Sequence, residues 1–157
     1  MSSRTTLLNL KKLYEIDDHL WLEETIKILK SGHLERLDIE NLIEELEALG
    51  RRDQAQVKSL LILVIKHLLF LEYWREEYDY NANHWREEIV NFRQQLDFNL
   101  TTNLRNMLRE ELDDLYHKAR RQFQEKTQHK IKNLPEKCPY FLEQLLDEEW
   151  LPERNPI

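Results

Sequence analysis

A chain of 157 residues that is 41% hydrophobic and 34% charged, with two glycines and four prolines, has the composition of amphipathic helices and lacks the punctuation of hairpins and sandwiches. The length suits one domain, 1–157, that buries about two thirds of the surface its unfolded form exposes, so folding needs neither disulfide nor metal. A net charge of −7 disfavours nonspecific binding to phosphate backbones, two glycines cannot build a phosphate loop or dinucleotide fingerprint, and the lone Cys138 can form no internal disulfide.

The first residues lack an apolar run with a small-residue cleavage site, so no secretory signal is expected and the setting expected is cytoplasmic. Thr5 to Leu13 reads as a short amphipathic lead-in. Asp17 or Asp18 can cap a helix that runs to about Lys30 and stops at Gly32. Trp21, Leu22, Ile26, Ile28 and Leu29 share a broad apolar face, opposite Glu23, Glu24, Lys27 and Lys30. Asp38 is the expected N-cap of the next helix, with Leu42, Ile43, Leu46 and Leu49 inward and Glu40, Glu44, Glu47 and Arg51 outward. A glycine inside a helix costs only about 1 kcal/mol, so this helix is read through Gly50 to about Tyr73.

Its second half, SLLILVIKHLLFLEYW from Ser59 to Trp74, is apolar nearly all round and reads as the central helix of a bundle. Lys66 and His67 interrupt the run before it reaches the roughly 20 apolar residues a membrane span needs. They form the candidate buried polar pair. His67, among Leu60, Leu63, Leu71 and Trp74, is expected to bond a carbonyl or carboxylate and fix helix register. Lys66 is expected to pack its stem and reach an ion-pair partner.

Asn81 and Asn83 mark a connection, after which Trp85, Ile89, Phe92 and Leu96 give a bundle stripe. The pattern weakens at Asn99, Thr101 and Thr102. It resumes with Leu104, Met107, Leu108, Leu112, Leu115, Ala119 and Phe123, predicting a second long, kinked helix to about His129. After Leu134-Pro135 and Cys138-Pro139, Pro139 opens a last short helix, PYFLEQLLDEE. The fold class predicted is all-α: a single-domain helical bundle with two long helices and shorter N- and C-terminal helices.

Charge is uneven. Residues 1–50 carry six basic and eleven acidic residues, whereas residues 116–132 carry six basic and one acidic. Within that basic segment Lys118, Arg121, Lys126 and Lys130 are candidate anion-binding residues, with Tyr116 and Phe123 available to stack. A nucleic-acid-binding accessory protein using 116–132 is therefore one alternative function, although a helix C-terminus favours cations for local reasons as well. A metal-dependent hydrolase using helical carboxylates and His67 is another. The nearest motifs, Asp114 with His117 and His84 with Glu88, are not duplicated as a di-metal site requires. Glu44 and Glu47 with Glu76 and Asp79 resemble the magnesium pattern of all-α nucleotide pyrophosphatases, but one continuous helix would hold Glu47 and Glu76 roughly 40 Å apart.

The leading expectation is a non-enzymatic protein without a cofactor, acting by contact with another protein or as a homodimer, with no membrane role. Tyr73, Trp74, Tyr78 and Trp85 are its candidate interaction surface, because aromatics concentrate binding energy at interfaces.

Four blocks, LDIENLIEELEALGRRD, SLLILVIKHLLFLEYW, HWREEIVNFRQQL and CPYFLEQLLDEEWLP, resemble in order and spacing a bacterial family abundant in cyanobacteria, domain of unknown function 29. The resemblance covers nearly the whole chain and implies an all-helical domain, with no activity or site residue to carry over. The chain departs from many relatives at Asn81 to His84, where they carry Ser or Arg.

Overall fold

The computed structural model describes residues 3–153, with side chains from residue 9 onward. Seven α-helices and one short 3-10 turn make up the described residues, with no strand, as the composition predicts. The chain divides into two compact units, Met1–Arg52 and Asp53–Ile157.

In the first unit, α1 (Ser3–Ile16), α2 (Asp18–Ser31) and the turn Leu34–Arg36 precede α3 (Ile39–Tyr73), whose first part belongs here. Asp17 caps α2 by accepting from the Leu20 N–H at 3.0 Å, and Gly32 ends it at φ 77°, a left-handed conformation that suits glycine. The small core comprises Leu10, Trp21, Thr25, Leu37 and Asp38. Trp21 meets Tyr14 edge-on at 4.9 Å and donates its indole N–H to Asp38 Oδ2 at 3.4 Å. Asp38 starts α3 through its carbonyl, which accepts from Leu42 at 2.9 Å, while its side chain serves Trp21 and Asn41.

The apolar faces predicted as core are the main correction in this unit. Leu22, Ile26 and Leu29 on α2 are 42–47% exposed, and Ile43, Leu46 and Leu49 on α3 are 49–59% exposed. The unit buries the other side of α2 through Trp21 and Thr25, and none of its described elements covers these stripes.

In the second unit the rest of α3 is the central helix. Leu61, Val64, Ile65, Leu68 and Leu69 are fully buried against a core drawn from every other helix of the unit. Helix α3 runs unbroken through Gly50, as expected, and passes the length and hydropathy test for a membrane span, but 56% of that window is covered by protein. The next element, α4 (Arg75–Asn99), corrects the expected connection: the chain turns at Trp74, and Asn81 and Asn83 lie inside the helix. Asn81 is accommodated there because its amide donates to the Glu77 carboxylate at 2.9 Å, one turn back. The second long helix therefore spans 75–99. The segment read as its continuation is two helices, α5 (Thr102–Glu110), capped by Thr101, and α6 (Leu112–Lys126). The last helix, α7 (Leu142–Leu146), is shorter than predicted and leaves Pro139 outside, because the Gln144 side chain accepts the Phe141 N–H at 2.8 Å and fixes the start there.

Arg93 holds α7 in place. Buried on α4, its guanidinium donates to the carbonyls of Leu145 at 2.9 Å, Gln144 at 3.0 Å and Trp150 at 2.7 Å. The first two are end carbonyls that a five-residue helix cannot satisfy internally. Burial lowers the Arg93 pKa to about 10, opposed by Asp147 and Glu148, so it stays charged at neutral pH.

Candidate functional site

The second unit contains a cleft of about 530 Å³ lined from three helices. Lys66, His67 and Phe70 come from α3, whose turn-and-a-bit spacing puts them on one face with Trp74 just past its end. Glu77, Asn81, His84 and Trp85 stand at the same kind of spacing on α4, and Lys126 is the last residue of α6. The cleft thus gathers members of all three residue groups that the sequence pointed to separately.

The aromatics form its wall. Trp74 and Trp85 stack with centroids 5.7 Å apart and planes 17° apart, and Phe70 packs on both. Trp85 is buried and Tyr73, Trp74 and Tyr78 are half-buried, so the four expected surface aromatics line hollows and core more than they protrude. Trp74 and Tyr73 also border an adjoining hollow of about 300 Å³ with Lys130.

His67 Nδ1 lies 2.7 Å from the Leu63 carbonyl. A carbonyl only accepts, so Nδ1 carries the proton and Nε2 keeps a lone pair. Burial lowers the His67 pKa, the Leu63 bond opposing it, and the ring is neutral at pH 7. Lys66 is half-buried on the same turn, and it lacks the expected ion pair: no carboxylate lies within 4.0 Å of it among the described residues. Burial lowers its pKa and the neighbouring Lys126 lowers it further. Besides Lys126 and Glu77, the residues that share this cleft with Lys66 are aromatic, amide or imidazole, and Glu77, which takes the Asn81 amide on one oxygen, lies beyond ion-pair distance.

The basic segment is divided. Lys126 reaches the cleft, and Lys130 follows two left-handed residues, Gln128 and His129 at φ 56° and 57°. Lys118 and Arg121 are exposed on α6 and line neither hollow. Tyr116 and Phe123, read as available for stacking, are fully buried, because the apolar stripe of α6 faces the core; the Tyr116 hydroxyl donates to the Pro135 carbonyl. Among the described residues no three His, Cys, Asp or Glu side chains converge to hold a metal. Burial pushes the Cys138 thiol up to about 11, which leaves it inert as a nucleophile at neutral pH.

Arg93 was not singled out from the sequence. Its signal was present: buried α4 positions run Ala82, Trp85, Ile89, Arg93 and Leu96, so the arginine stands on the apolar stripe.

The fold and cleft define an all-helical protein of two compact units, both of which draw on one long helix. The chain belongs to the family described as Domain of unknown function DUF29, whose model matches residues 13–151. No curated protein and no solved structure matches it.

Proposed function

We propose that this protein is a non-enzymatic cytoplasmic module that works by protein contact, pairing with a second copy of itself along Ile39 to Arg52 of α3. One observation carries the reading. Ile39, Leu42, Leu46 and Leu49 recur at alternating spacings of three and four, the seam of a two-stranded coiled coil, and Ile39, Leu46 and Leu49 are 49–59% exposed.

Charge supports a second copy as the occupant and sets its direction. Glu40, Glu44, Glu45 and Glu47 fill the first turns of the stretch, and Arg51 and Arg52 end it. An antiparallel copy lays each acidic end on the other's basic end, whereas a parallel copy sets glutamate against glutamate. The Glu45–Arg52 contact inside one chain is long, at 3.8 Å, and exposed, so exchanging it for the same contact across a pair costs little.

Sedimentation equilibrium of the full chain tests this. The wild type is expected to be a dimer and Leu46→Lys a monomer with unchanged helical circular dichroism. A monomeric wild type at its highest soluble concentration would overturn the pairing.

A further inference from the structure

The cleft of the second unit carries an excess of positive charge, Lys66 and Lys126 against the single carboxylate of Glu77. Lys66 and Lys126 border one cavity, repel each other, and have no carboxylate within 4.0 Å among the described residues. Lys66 is partly withdrawn from water and faces a second, exposed ammonium, and a dianion between the two relieves the repulsion and the lost solvation of Lys66. The stacked Trp74 and Trp85 give the same cavity a flat aromatic wall, suited to a ring and wasted on a bare inorganic ion.

Glu77, Asn81 and His67 present acceptors to the cleft. The Asn81 amide is spent on Glu77, which leaves the Asn81 carbonyl oxygen and the other Glu77 oxygen to receive an amino group. His67, its Nδ1 proton committed to Leu63, offers Nε2 to a hydroxyl. At about 530 Å³ the cavity is within the usual range for small organic ligands.

We propose that this cleft binds a nucleoside monophosphate whose base carries an exocyclic amine. The phosphate sits between Lys66 and Lys126, the base lies against Trp74, its amine donates to Glu77, and His67 accepts from a sugar hydroxyl. The site lies in the second unit and is independent of the pairing through Ile39 to Arg52.

Isothermal titration of the full chain with AMP, CMP and UMP, with adenosine and inorganic phosphate as partial probes and a 5′-phosphorylated oligoadenylate as the polymer, tests the proposal. AMP and CMP are expected to bind one per chain and quench tryptophan fluorescence, with UMP, adenosine and phosphate each weaker by about tenfold or more. Lys66→Ala and Lys126→Ala are each expected to weaken AMP by about tenfold or more. Lys126 is exposed at a helix end, so its variant keeps the fold and isolates the charge. Absence of AMP and CMP binding, equal binding by both lysine variants, or binding by the oligoadenylate alone would overturn it.

Discussion

The guanidinium of Arg93 and the carbonyl of Trp150, fifty-seven positions apart in the chain, meet at 2.7 Å and fasten the C-terminal segment to α4. The same side chain satisfies Gln144 and Leu145 at the end of α7, so one buried cation does what a capping motif does elsewhere.

Replacing it with an apolar residue of similar bulk removes the side-chain donor from three carbonyls, of which Gln144 keeps only a long bond from the Asp147 N–H at 3.3 Å. Arg93→Leu is expected to lower unfolding stability by about 3 kcal/mol in urea titrations. Arg93→Lys should recover less than half, because one ammonium cannot reproduce the planar fork. A loss too small to resolve for Arg93→Leu would show that the segment is held by its apolar contacts alone.

His67 makes stability depend on pH. Burial lowers its folded pKa below the usual 6.5; Lys66 and His84 push the same way, and the Leu63 carbonyl and Glu88 oppose. Between the lowered value and 6.5 the unfolded chain binds more protons than the folded one, so stability rises with pH through that window and is flat in this contribution above it. Urea midpoints measured from mildly acidic to neutral pH should show this slope in the wild type and a shallower one in His67→Gln. Identical slopes would remove His67 as the cause.

The two glycines should respond in opposite directions. Gly50 lies inside α3 with open space where a Cβ would go, so Gly50→Ala should raise stability by about 0.5–1 kcal/mol. Gly32 holds φ 77°, where a Cβ is strained, so Gly32→Ala should cost about 1 kcal/mol although it too has space. Thermal melts of the two variants separate these cases. A destabilising Gly50→Ala would mean that the helix bends there.

Much of the fold was legible because local chemistry and tertiary packing agree at those places. Asp17 and Gly32 bound α2 as their cap preferences dictate, and the apolar run around Val64 could be buried only as a central helix. The errors came where a local preference was overruled. Asn81 looked like a turn residue, but its bond to Glu77 serves it within the helix. Leu46 and Leu49 carry the periodicity of core residues, and periodicity alone cannot say whether the covering partner belongs to the same chain. The cleft was legible only in pieces: Lys66 and His67, the aromatics, and Lys126 were each marked, but their convergence depends on how α3, α4 and α6 meet.

Disulfide trapping most directly tests the central claim that α3 pairs with its own copy. Cys138→Ser first removes the only native thiol, which is half-buried. An antiparallel pair overlapping Ile39 to Arg52 places Leu46 beside the two-fold axis and turns Glu47 away from the seam. Under mild oxidation Leu46→Cys should then yield a covalent dimer and Glu47→Cys should remain single. No crosslink at position 46, or equal crosslinking at both positions, would contradict the account.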